Sequence, residues 1–283
     1  MTIMFILINA IAVTISTVLG GVATRRLALP FVLFIAGVSA AAISLGFALA
    51  TSGASSATGL YLGFTAGLAG GAGLSLAYRA YAIGPVGVPA STIACTTAAI
   101  LAIVGFLSGE SLTPFRMIGL ALCGIAILLV AQRPAAGHRD HPASTLVFAL
   151  LAAVGFSCFV LLIDRAPQGD GLWPLVSARA GVLVVASVML LTVLRPGKTR
   201  PAAPTVRSIA SWLAVFAGIL DATANLFLLL ALQSADLILV AILAPVVPVL
   251  TAVVGKIFLH EVLTRPQVFG LAVGAGAVVF AAL

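Results

Sequence analysis

The chain has 283 residues, of which 62% are hydrophobic and 7% charged, with a formal net charge of +7 and a mean hydropathy of +1.28. An ordinary soluble domain carries about 25% charged residues, so this composition excludes a water-facing surface and leaves lipid as the main neighbour of the exterior. The basic excess sits in short connections such as Arg25-Arg26 and residues 195–207; that is the pattern of membrane orientation signals beside anionic headgroups, and it excludes nucleic acid as a partner.

The first apolar run follows Met-Thr-Ile-Met-Phe-Ile, with no Lys or Arg before it. A cleaved signal peptide has a positive start, so this run is expected to be a retained helix. Residues 27–77 contain no Asp, Glu, Lys or Arg. A helix needs about 20 apolar residues to span the hydrocarbon core, so this stretch fits two spans joined by a short turn. In chain order the apolar runs predict about ten spans: 3–23, 30–50, 59–77, 86–107 and 114–131, then 144–163, 173–194, 208–230, 237–257 and 267–282. The most polar connections, 132–142 and 195–207, are too short for a further domain. Cys95, Cys123 and Cys158 lie far apart in apolar stretches, where they are expected as small buried residues with no disulfide or metal role.

An internal repeat organises these spans. Laid over one another without a gap, the third to fifth spans match the eighth to tenth. Ala66-Gly67 falls on Ala217-Gly218, Ala80 on Ala231, and Ala90 on Ala241. Glu110 falls on Glu261, Leu112-Thr113 on Leu263-Thr264, and Gly119-Leu120-Ala121 on Gly270-Leu271-Ala272. Alanine and leucine match by chance in such sequence, whereas Glu-x-Leu-Thr at a fixed distance before Gly-Leu-Ala does not. A repeat with an odd number of spans must enter the membrane in opposite orientations, the architecture of secondary transporters with a site near the midplane. The predicted fold is therefore an all-α membrane protein of about ten helices in two inverted five-helix repeats. These are residues 1–132 and 144–283, joined by a loop at 133–143.

Connections after odd-numbered spans hold Arg25, Arg26, Arg79, Arg133, Arg195 and Lys256 among others, while those after even-numbered spans hold Arg116 and Arg165. This bias places the odd connections in the cytoplasm and both termini outside.

Gly109-Glu110-Ser-Leu-Thr-Pro, followed by the Gly-rich run 118–127, resembles the signature of EamA-type members of the drug/metabolite transporter superfamily. There a fourth span ends in Gly-Glu before a Gly-rich fifth. His260-Glu261-Val-Leu-Thr resembles a second copy, and Ala231-Leu-Gln-Ser-Ala235 resembles the family's junction between its eighth and ninth spans. The resemblance covers the whole chain and implies export of amino acids or similar small metabolites across a bacterial inner membrane by a multi-pass carrier. Carriage of drugs, sugars or nucleotide sugars on the same fold is the alternative. Many members carry Trp within the first and sixth spans, where this chain has Gly155-Phe156 near the expected place in the sixth. The resemblance also implies cytoplasmic termini, against the charge bias.

Asp221 lies near the middle of the eighth span, where insertion scales put the cost of a carboxylate at about 2.5 kcal/mol or more. Asn225 follows one turn later on the same face. Their counterparts in the first repeat are Gly70 and Leu74, so this polar face departs from the internal symmetry. Asp221 is either a proton-coupling or substrate-amine site, or one half of a structural ion pair with Arg179. Arg179, about two turns into the seventh span, is able to neutralise Asp221, to hold a substrate carboxylate, or to snorkel to the interface. Pro245 and Pro248 inside the ninth span free the carbonyls of Ala241 and Ala244, which either face a cavity or mark a packing kink. Asn9 and Ser157 are each placed to line a cavity or to make an interhelical hydrogen bond. Tyr78 and Tyr81, at the predicted end of the third span beside Arg79, read as gate residues or as part of an aromatic belt. Trp173 and Trp212 read as belt anchors. Gly63, Gly67 and Gly71 form a stripe for close helix packing. Glu110 and Glu261 read as charges favouring helix starts.

No HExxH, GxSxG or CxxC pattern and no ATP-binding motif occurs, so neither an enzyme nor direct ATP drive is expected. No cofactor is expected either. The expected partners are a small-molecule substrate and membrane lipids, and a monomer suffices for the fold. An intramembrane lipid-handling enzyme is the remaining, weaker alternative.

Overall fold

The computed structural model describes residues 2–24, 26–51, 53–83, 87–110, 113–130, 142–194 and 208–233, with scattered positions between 240 and 276. These residues are helical apart from connecting turns. The helices are α1 (Thr2–Thr24), α2 (Leu29–Ala50), α3 (Ala57–Ile83), α4 (Gly87–Leu107), α5 (Pro114–Val130), α6 (Pro142–Asp164), α7 (Trp173–Val193) and α8 (Ile209–Leu232). A 3-10 turn, Gln168–Asp170, precedes α7. Six of the helices, α1, α2, α3, α6, α7 and α8, are long and apolar enough to cross a membrane. The predicted spans at 237–257 and 267–282 lie mostly outside the described residues.

Local chemistry sets the helix ends. Proline enters the first turns of α2 and α7, where its missing N–H has no intrahelical partner to lose. Ser208 caps α8 by accepting the Ser211 N–H. Beyond α4 the chain turns at Gly109 with φ +90°, a left-handed conformation that a Cβ would oppose. α3 runs to Ile83, about six residues past its predicted end. Tyr78, Arg79 and Tyr81 are thus inside the helix, in its last two turns.

The exterior is apolar: Ile11, Val38, Leu49, Phe106, Val188 and Leu191 are exposed. The interior is built from small and hydroxyl residues, with Ala10, Ala66, Ala149, Ala152, Ala178, Ala214 and Ala217 buried beside Thr14, Ser44, Ser75 and Ser157. In lipid, helix association rests on close van der Waals packing and interhelical hydrogen bonds, and small residues permit both. Cys158 departs from its expected burial, because it faces outward on α6.

α1 packs on α8, α2 on α7 and α8, α3 on α6 and α7, and α4 on α6. The glycine stripe of α3 explains one of these contacts. A Cβ at Gly63 or Gly67 would overlap the carbonyl of Pro174 or Ala178, and one at Gly71 would lie 3.1 Å from Val182 Cα. The order 63, 67, 71 against 174, 178, 182 shows that α3 and α7 run parallel. Gly73 faces Ala152 to Phe156, and Gly70 faces Phe159, so α3 and α6 run antiparallel. α1 and α8 are also antiparallel, with two rungs between them. Asn9 Nδ2 donates to the Ala224 carbonyl at 2.8 Å, and Ser16 Oγ donates to the Ala217 carbonyl at 2.8 Å. Gly218 of α8 rests on the Ala36 carbonyl of α2.

At one end of the bundle, Asp170 clasps the α2–α3 connection. Its carboxylate accepts from Ser56 Oγ at 2.5 Å, while Ser56 Oγ accepts the Gly59 N–H at 3.0 Å. Asp170 is buried and lies over the first turn of α3, where the helix dipole favours an anion. Next to it, Trp173 Nε1 donates to the Gly53 carbonyl at 3.1 Å.

Candidate functional site

α1, α3, α4, α6, α7 and α8 surround a cavity of about 250 Å³. α1 contributes Asn9, Val13, Ser16 and Thr17; α7 contributes Arg179 and Val182; α8 contributes Asp221, Asn225 and Leu228. The opposite wall consists of Gly70, Leu74, Ala77 and Tyr81 of α3, Ile93, Ala94, Thr97 and Leu101 of α4, and Phe156, Phe159 and Val160 of α6. Val240 and Val247 also line it. Several lining residues, Ile6, Leu101, Phe159, Val160 and Val240, also belong to a buried apolar cluster with Ile163, Leu229 and Leu232. That cluster continues to Leu172 and Leu175, beside the α6–α7 turn.

The charged centre is an ion pair. Arg179 Nη1 donates to Asp221 Oδ2 at 2.5 Å, and Nη2 donates to the Asp221 backbone carbonyl at 3.3 Å. Nε donates to Ser44 Oγ of α2 at 3.4 Å. The arginine side chain is 5% exposed and the aspartate 30%, so the cation is sheathed by helices while the carboxylate reaches the cavity. Burying two opposite charges together avoids the large penalty of burying either one alone.

Asn225 Nδ2 donates back to the Asp221 carbonyl at 2.8 Å, and Asn9 Nδ2 is spent on Ala224. Each amide retains its carbonyl oxygen as an acceptor.

The cavity gathers Asn9, Arg179, Asp221, Asn225 and Tyr81 from the residues expected to serve a site. Ser157 is placed elsewhere: it is buried and donates to the Ala153 carbonyl of its own helix at 2.8 Å. Tyr78 also lies off the cavity. It is buried against Gly20 of α1, so it is no belt residue, and its ring centroid is 6.4 Å from that of Tyr81. Trp212 is exposed on the outer face, as a belt residue would be, whereas Trp173 is pinned to Gly53. Pro245, Pro248, Ala241 and Ala244 fall outside the described residues. Sequence reading missed Ser44, Ser16, Gly70, Phe159 and the Asp170 clasp. Only Asp170, a charge between two spans, carried a signal that could have found it. Among the described residues no cluster of His, Cys, Asp and Glu could hold a metal ion.

No curated protein matches the sequence. Among 28 matching chains of solved structures, one described as "Crystal structure of protein" superposes with a TM-score of 0.70 at 19% identity, over 98% of this chain and 94% of its own. The likeness establishes a shared fold. Residues 143–283 match the model described as "EamA-like transporter family". Through that half, with its apolar membrane-crossing helices, the chain belongs to the EamA-like transporter family of the drug/metabolite transporter superfamily.

Proposed function

We propose that the chain is a ten-helix secondary transporter whose two five-helix repeats, 1–132 and 144–283, enter the membrane in opposite directions. The helix directions support this. Exchanging each helix with its counterpart five places along turns the α1–α8 contact into α6–α3, both antiparallel, and turns the α3–α7 contact into α8–α2. The repeat-matched glycines Gly67 and Gly218 each rest on a carbonyl of the matching partner helix, Ala178 on α7 and Ala36 on α2. The matched pairs Gly70 and Asp221, Leu74 and Asn225, Ala77 and Leu228 all line one cavity. These pairings support a cavity between the repeats, where inverted-repeat carriers bind their substrates. The main contacts join helices of different repeats. The bodies that rock in alternating access are then α3 with α6 and α7, and α8 with α1 and α2, rather than the two sequence halves.

The observation that carries the substrate reading is the Arg179–Asp221 pair. Its charges cancel, so a ligand with net charge would leave an uncompensated ion in a low-dielectric site. A zwitterion keeps the balance: its ammonium meets Asp221 Oδ1, and its carboxylate meets the guanidinium, which has five N–H donors and uses three on Asp221 and Ser44. The reading is export of amino acids or similar small metabolites across a bacterial inner membrane. A proton on Asp221 would remove the partner of the substrate ammonium, favour release of the substrate and so couple transport to a pH gradient, with facilitated diffusion as the uncoupled alternative.

The test is flux in proteoliposomes with labelled amino acids, sugars and cationic drugs, with and without a pH gradient. Amino-acid flux should be lost in Asp221→Asn. Flux in that variant equal to wild type at every pH removes the coupling. Movement of sugars or drugs in place of amino acids selects the alternative substrate classes, and turnover of lipid without solute flux selects the enzyme reading.

A further inference from the structure

The two walls of the cavity differ in chemistry. Its charged and amide groups, Asn9, Arg179, Asp221 and Asn225, come from α1, α7 and α8. The wall formed by α3, α4 and α6 is aliphatic and aromatic, and its polar side chains are the Tyr81 phenol and Thr97, whose hydroxyl donates to the Ala153 carbonyl. Gly70 stands on this wall at the position that matches Asp221 in the repeat. A Cβ there would lie 2.9 Å from Phe159 Cδ2 and 3.3 Å from Cγ. The ring of Phe159 thus occupies the space that a side chain at residue 70 would take. A methyl group at that site would displace the ring, and both residues line the cavity, so its shape would change.

We infer that Gly70 is a specificity-determining residue, and that with Phe156 and Phe159 it selects a substrate whose body is bulky and apolar. This rests on the zwitterion reading above: the head group binds the α7–α8 pole, and the side chain fills the opposite wall. A small or hydroxylated side chain leaves that wall unfilled or strands a polar group on it. A bulky hydrocarbon displaces water from it. One methylene in an apolar pocket changes discrimination by about 10- to 200-fold, so the added methyl in Gly70→Ala is large enough to read.

The experiment is direct uptake, into proteoliposomes, of labelled serine, alanine, leucine, norleucine, phenylalanine and phenethylamine, each measured separately. It uses wild type, Gly70→Ala, Phe159→Ala and the Gly70→Ala/Phe159→Ala double variant. Wild type should prefer phenylalanine over serine by about tenfold or more. Gly70→Ala should lose most of that preference while still carrying alanine, and the double variant, with the ring removed, should regain uptake of the bulky substrates. The inference is overturned if wild type carries serine as well as phenylalanine, or if Gly70→Ala lowers every substrate equally and the double variant restores none. Failure of the zwitterion reading looks different: phenethylamine is carried in place of the amino acids, with Gly70 still controlling size.

Discussion

Arg179 and Asp221 join α7 to α8 through a guanidinium–carboxylate contact of 2.5 Å and a second bond to the Asp221 backbone. The aspartate departs from the repeat symmetry, since its counterpart is Gly70. An intramembrane carboxylate that the symmetry does not require calls for its own explanation, and the pair supplies the structural half of one. Its opening onto the cavity is the ground of the transport role proposed for it.

Stability and transport should therefore separate on this pair. Removing one partner of a buried pair costs about 3–5 kcal/mol, and the partial exposure of Asp221 puts Arg179→Met toward the lower end of that range. The double variant Arg179→Met/Asp221→Leu should recover most of the loss, because no lone charge remains. Thermal unfolding in detergent measures the first quantity and proteoliposome flux the second. The double variant should be nearly as stable as wild type and inactive. An active double variant would show that the pair serves packing alone.

The Asn9–Ala224 and Ser16–Ala217 rungs yield a second prediction. Interhelical hydrogen bonds in membranes average about 0.6 kcal/mol, so Asn9→Ala and Ser16→Ala should each lower stability by roughly that amount, and together by roughly the sum. Flux should respond unequally. Both residues line the cavity, but Ser16 is buried whereas Asn9 is partly exposed, so Asn9→Ala should lower transport by more than its stability loss explains. Equal, small flux losses in both variants would assign Asn9 to packing.

Much of this arrangement was legible in the sequence, for identifiable reasons. Charges and amides are rare inside apolar spans, so Asp221, Asn225, Arg179 and Asn9 stood out, and the cavity gathers all four. Helix starts were marked by Pro30, Pro114 and Trp173. Gly70 and Phe159 were invisible as site residues, because one more glycine or phenylalanine carries no signal in a sequence this apolar. Ser157 misled for a physical reason: a serine within a helix can satisfy itself on the carbonyl four residues back. Tyr78 and Tyr81 were treated together, and at about 60° apart around the helix they do share one side, with ring centroids 6.4 Å apart; only the packing of Tyr78 against Gly20, which leaves Tyr81 to line the cavity, separates them. The pairing of α1 with α8 and of α3 with α6 and α7 could not be read at all, since nothing in an apolar helix face names the helix that it touches.

Gly67 and Gly218 give a prediction that tests the symmetry itself. Each rests on a backbone carbonyl of a neighbouring helix, an atom that cannot rotate away. Overpacking of this kind costs about 1–3 kcal/mol. Gly67→Val and Gly218→Val should therefore destabilise by similar amounts, measured by unfolding in detergent. Gly21→Val, where no atom lies within 4 Å of an added Cβ, should have little effect. A large loss at Gly67 with none at Gly218 would separate the two contacts that the repeat equates.

The Asp170 clasp makes the last prediction. Its carboxylate accepts from Ser56 and sits over the start of α3, while Trp173 holds the Gly53 carbonyl. A hydrogen bond to a charged group contributes about 1.5–3 kcal/mol, so Asp170→Ala should lower stability by about that much. Trp173 then reports whether the connection between α2 and α3 is released. In a Trp212→Phe background, where Trp173 is the remaining tryptophan, emission should shift to longer wavelength and acrylamide quenching should rise in Asp170→Ala. Ser56→Ala should move both readings the same way by a smaller amount, because it removes the hydroxyl that donates to Asp170 and accepts from the Gly59 N–H but leaves the carboxylate over the helix start. Unchanged emission and quenching in Asp170→Ala would mean that Trp173 and Gly53 hold the connection without the carboxylate. The clasp then contributes nothing to closing this end of the bundle.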